Sequence, residues 1–76
     1  MKQLNSRRIG KRCRAVRESK GFTPAQMAYV IGCKHTTVLR VERGEQLPLL
    51  QYAGHVAEMG NMTIEQLIYG GEENAR

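Results

Sequence analysis

Cys13, Cys33, His35 and His55 are the side chains in this chain best suited to hold a metal or to attack an electrophile, and their spacing argues against both. Zinc ligands recur as close pairs, whereas these four stand 20, 2 and 20 residues apart, which matches no common site. The sequence contains no Asp, which removes many carboxylate dyads and triads, and no local Ser-His-acid or Cys-His motif is present. No metal, no other cofactor and no catalysis are expected. The two cysteines read as reduced thiols, because a small extracellular domain ordinarily carries several bridges.

The chemistry that the residues favour is electrostatic. Residues 1–20 hold eight cations, Lys2, Arg7, Arg8, Lys11, Arg12, Arg14, Arg17 and Lys20, against Glu18 alone, so this segment carries +7 and the remainder −2. Cations gathered in one segment are the footprint of a nucleic-acid binder, since every phosphate they neutralise releases condensed counterions. A membrane surface attracts such a segment too, but here only Ile9, Cys13 and Val16 form its apolar face, with no Trp or Phe to anchor it among headgroups. A solvated helix face is the ordinary alternative, and charge alone does not choose between them.

Seventy-six residues, sixteen of them Leu, Ile, Val or Phe, suit one small domain with a thin core. No apolar run approaches the roughly 20 residues of a membrane span, and no apolar stretch follows the basic start as it would in a secretory signal. The cytoplasm is the expected location.

The elements that must position these residues are all helical. Ile9, Cys13 and Val16 repeat at i, i+4, i+7 and predict a first helix from Ser6 to Lys20, with Gly21 suited to its left-handed exit. Thr23-Pro24-Ala25-Gln26 predicts a capped start for a second helix that buries Met27, Ala28 and Ile31 and stops at Gly32. A third spans His35 to Arg43, burying Val38 and Val41 and ending at Gly44. A fourth runs from Pro48 or Leu49 to Met59 with Leu50, Ala53, Val56 and Ala57 inward, and Gly60-Asn61 offers a left-handed exit. A fifth is capped by Thr63 and Gln66 and closes the core with Leu67 and Ile68. The expected organisation is an N-terminal arm (1–5), a helical domain (6–69) and a polar C-terminal tail (70–76).

Two short helices joined by a tight turn containing glycine describe a helix-turn-helix, which can lay its second helix in a DNA major groove. The run Ile9-Gly10-Lys11-Arg12, Arg17-Glu18-Ser19-Lys20-Gly21-Phe22-Thr23, Met27-Ala28, Ile31-Gly32, Thr37-Val38, Arg40-Val41-Glu42-Arg43-Gly44 and Pro48 resembles the lambda-repressor-like (Cro, XRE) family. The resemblance covers residues 7 to 68 in one ungapped register. It implies an all-α, compact five-helix domain whose third helix reads DNA. Family positions that face bases fall on His35, Thr36 and Arg40, with Lys34 and Leu39 beside them. The chemistry agrees: Arg40 can fork two donors onto guanine O6 and N7, His35 can meet a purine edge, and the methyls of Thr36 and Leu39 suit a thymine methyl.

Phosphate contacts are expected from Thr23 and the amides at the start of the second helix, from Lys34 and Thr37, from Arg43, and from Arg7, Arg8 and Lys11. Pro24 departs from the family's usual Gln, so one side-chain contact and one amide are lost and Thr23 must contribute more. Arg14 could reach the same backbone; the alternative for each lone cation is an ordinary hydrated surface residue, and for Arg14 and Lys2 the two readings are equally good. Arg17 and Glu42 occupy positions that pair in the family and are expected to form a structural ion pair. Cys13 and Cys33 fall where the family places core aliphatics.

The resemblance implies a repressor or autoregulator of a phage, plasmid or restriction–modification element. It would bind a near-palindromic operator in double-stranded DNA as a homodimer, with recognition helices about 34 Å apart. Tyr52, Ile64, Ile68 and Tyr69 are the candidate exposed apolar groups and the expected dimer contacts, with completion of the core as the equal alternative for them. The competing reading is an antitoxin-type interaction module that also autoregulates its operon, so a toxin or RNA polymerase is the further protein partner to consider.

Overall fold

The computed structural model describes residues 4–70, so most of the arm and most of the tail lie outside the described residues. Along the chain run α1 (Ser6–Ser19), α2 (Pro24–Ile31), α3 (His35–Arg43), α4 (Leu50–Met59) and α5 (Ile64–Tyr69), with no strand among the described residues.

Local chemistry sets most of the boundaries. The Asn5 side chain accepts from the Arg8 amide at 3.0 Å, so this residue of the expected arm caps α1. Reciprocal capping boxes start α2 and α5: Thr23 pairs with Gln26, and Thr63 with Gln66, through bonds of 2.8 to 3.1 Å. The turn between α2 and α3 passes through Gly32 at φ +88, a left-handed conformation that a side chain would strain. Asn61, not Gly60, adopts the left-handed conformation after α4.

Ile9, Cys13, Val16, Met27, Ala28, Ile31, Val38, Val41, Ala53, Val56, Ala57 and Leu67 form the core, with Cys33 and Ile68 half-buried against it. Burial pushes the Cys13 thiol up to about 12, with the Glu42 carboxylate adding to the effect, so this sulfur stays protonated and packs as a small hydrophobe. Gly10 lets α1 approach α3 backbone to backbone. A Cβ there would collide with the Val41 carbonyl oxygen and lie 2.9 Å from that of Glu42.

Two expectations about α4 are corrected. Leu50 is 75% exposed, because it occupies the first position of α4, at the margin of the arc formed by Tyr52, Ala53, Val56 and Ala57. Tyr52, expected on the surface, is 3% exposed and completes that arc. Its Oη is buried and finds no hydrogen-bond partner among the described residues. Desolvation raises the phenol above its ordinary range. Because a buried polar atom without a partner carries its desolvation cost uncompensated, Tyr52→Phe is expected to match or exceed the parent's stability, by up to about 1 kcal/mol. Thermal melts check this, and a clear loss would mean that the hydroxyl is hydrogen-bonded in solution.

Candidate nucleic-acid interface

Burying Val38 and Val41 turns the opposite face of α3 outward. His35, Thr36 and Arg40 are exposed on it, and Leu39 and Thr37 are half-buried at its edges. The i, i+4 spacings pair His35 with Leu39 and Thr36 with Arg40, and the two pairs share the face opposite Val38 and Val41. Lys34 caps the helix with its backbone alone, leaving its ammonium unengaged by the cap. Arg40 and Arg43 lie in the last turn, where positive charge complements the helix dipole.

A second cationic edge adjoins the end of α3. Ser6 Oγ donates to the Gly44 carbonyl at 2.9 Å, which draws the start of α1 against the loop that follows Arg43. A Cβ on Gly44 would lie 2.9 Å from the Arg7 Cα, so the backbones are in contact there. Exposed Arg7 and exposed Arg43 are thereby brought to one edge, while Arg8 and Lys11 are exposed further along α1. Arg43 also lies 3.7 Å from Glu45, a solvent-exposed pair of little energetic weight that a phosphate can displace. Arg14 is engaged differently, bonded to Glu18 at 3.0 Å one turn away.

The start of α2 is a poorer anion site than expected. Gln26 Oε1 takes the Thr23 amide, Thr23 Oγ1 takes the Gln26 amide, and Pro24 has none to offer. Of the first-turn donors, the Ala25 amide is left, together with the Thr23 hydroxyl proton.

What holds the face in place is a bidentate pair beneath it. Arg17 Nε donates to Glu42 Oε2 at 2.7 Å and Nη2 to Oε1 at 3.0 Å, while Nη1 donates to the Phe22 carbonyl at 2.8 Å. Side-chain exposures of 9% and 7% make this a desolvated pair. Hydrogen bonding to Glu42 raises the Arg17 guanidinium further above its already high range. One guanidinium thus fastens α1, the entry to α2 and the end of α3 together.

Two structural residues escaped the sequence reading. Arg12 counts among the eight cations, yet its guanidinium turns inward to α5, and no pattern local to α1 signals that. Gly10, quoted above only as part of a family motif, had a usable signal, since a glycine inside a helical pattern often marks a close approach. Among the described residues no three His, Cys or Glu side chains converge as metal ligands, and no helix is long and apolar enough to cross a membrane.

The comparisons with known proteins agree with this geometry. The helix-turn-helix domain family matches residues 8–59. No curated protein sequence matches the chain. Among solved structures, the restriction-modification controller protein C.AhdI from Aeromonas hydrophila superposes with a TM-score of 0.69 at 26% identity, covering 82% of this chain and 94% of that one. The hypothetical transcription factor NHTF from Neisseria superposes with a TM-score of 0.74 at 21% identity, covering 99% of this chain and 92% of that one, a likeness of fold. With the family match spanning most of the chain and both helices of the motif in place, the protein belongs to the helix-turn-helix domain family of DNA-binding transcription regulators.

Proposed function

We propose that the protein is a sequence-specific regulator that binds a near-palindromic operator in double-stranded DNA as a homodimer, with α3 of each copy in a major groove. The observation that carries this reading is the outward stripe of His35, Thr36, Leu39 and Arg40 on a helix whose other face is locked into the core. Arg40 reads guanine, and its three neighbours meet adjacent base edges. Lys34, Thr37 and Arg43 hold one phosphate strand, and Arg7, Arg8 and Lys11 extend the grip along α1. Thr23 contributes a hydroxyl proton at the start of α2.

The second copy docks through the side of the fold formed by α4 and α5. Leu49 and Ile64 are exposed there together with Leu50, beside an open groove of about 450 Å³ that Leu50, Gly54, His55 and Ile64 help to line. Ile68 and Tyr69 remain half-buried at the end of α5, and Tyr52 is withdrawn from this surface. Similarity to a restriction-modification controller favours an autoregulator of such an element over the other genetic contexts.

Selection from a randomised pool of DNA duplexes tests the reading. The retained duplexes should share a short half-site, repeated with two-fold symmetry about one helical turn apart. Retention without sequence preference would overturn it, and a single unrepeated half-site would overturn the dimer.

A further inference from the structure

Arg12 sits in the middle of the cationic segment, where its charge alone would assign it to the DNA-facing set. The contacts are different. Arg12 is half-buried, and its Nη1 donates to the Leu67 carbonyl at 3.0 Å and to the Ile68 carbonyl at 3.3 Å, more than fifty residues along the chain. These are among the last carbonyls of α5, which have no acceptor role within the helix. The Gly70 amide returns to Gln66, one residue short of them.

α5 has only six residues and no basic side chain in its last turn. Such a helix does not persist alone in water, and its negative end favours a cation. Arg12 supplies that cation from α1, while Thr63 and Gln66 cap the other end. The same helix carries Ile64, Ile68 and Tyr69, and α1 packs on α3 through Gly10. A shift of α5 relative to α1 would therefore change the separation of two recognition helices related by a dimer axis.

We propose that Arg12 is a positioning residue: by holding the last carbonyls of α5 it keeps the dimer-forming helix in register with the DNA-binding helices α1 and α3. This rests on the dimeric reading given above. Arg12 neutralises no phosphate, although it belongs to the basic segment.

The test is Arg12→Gln, followed by amide hydrogen exchange, by sedimentation to measure dimer dissociation, and by operator titration over a salt series. The amides of Leu67 and Gly70 should exchange at least about tenfold faster while those in α1 to α3 keep their rates. Dimer dissociation should rise at least about tenfold, with the slope of log affinity against log salt unchanged. A slope reduced by about 1 would make Arg12 a phosphate contact and overturn the proposal. Equal acceleration in all five helices would overturn it too, by making Arg12 an ordinary tie of the core. A monomeric parent protein would overturn both this proposal and the dimeric reading, whereas a dimeric parent with an unaltered Arg12→Gln variant would overturn the role of Arg12 alone. Arg12→Lys, which keeps the charge and carries its three N–H donors on a shorter side chain, should show smaller shifts in the same direction.

Discussion

Arg17→Ala is expected to lower the melting temperature by at least about 12 °C. The substitution leaves the Glu42 carboxylate buried at 7% exposure without its two donors, and the Phe22 carbonyl loses a third. Removing one partner of a desolvated pair costs about 3–5 kcal/mol, because the remaining charge keeps its desolvation penalty and loses its attraction. A domain of this size has a total stability of about 4–11 kcal/mol, and each kcal/mol moves the melting point by about 4–8 °C. The double variant Arg17→Met with Glu42→Leu should recover most of the loss, since an apolar pair of similar volume carries no stranded charge. Calorimetry of the three proteins checks this. A single variant melting within about 2 °C of the parent would show that the pair is solvated in solution and contributes little.

Arg40→Ala should leave the melting temperature nearly unchanged and remove about 1–3 kcal/mol of discrimination at one operator position. The side chain is exposed on α3, and its backbone carbonyl, which accepts from the Glu45 amide at 2.9 Å, is untouched by the change. Alanine also suits a helix interior, so the loss falls on binding. Arg43→Ala provides the contrast. It should weaken all DNA sequences alike and reduce the salt slope by about 1, as expected for a phosphate contact. Competition between the selected operator and single-position variants, repeated at several salt concentrations, separates the two outcomes. If Arg40→Ala discriminates as sharply as the parent, the base-reading stripe must be drawn without it.

The outline of the fold was legible because its punctuation is local. Thr23-Pro24-Ala25-Gln26 and Thr63-Ile64-Glu65-Gln66 carry both halves of a capping box within four residues, so the starts of α2 and α5 follow from short-range hydrogen bonding. The third helix was equally plain, bounded by the turn residues before His35 and by Gly44 after Arg43. Its outward stripe follows from helical period once Val38 and Val41 are inside. The same capping box has a further consequence: the bonds that start α2 consume the Thr23 and Gln26 amides, two of the donors that would have bound an anion.

Leu50 and Tyr52 were misplaced for a geometrical reason. Helical period orders residues on a circle but does not say which arc the rest of the molecule covers. In α4 the covered arc is centred on Tyr52, Ala53, Val56 and Ala57. An apolar residue at the first position then projects past the core, and an aromatic residue two positions later turns inward with its hydroxyl.

Helix positions, their caps and the cationic bias of α1 belong to the sequence, since each depends on residues within a few positions of one another. The division of those cations among tasks belongs to the fold. Arg14 meets Glu18 within its own helix, but Arg17 turns to Glu42, Arg12 to the end of α5, and Arg7 stays exposed beside the end of α3. A guanidinium carries the same charge in every setting, so the partner it finds depends on which distant carboxylate or helix end packing brings within about 3 Å.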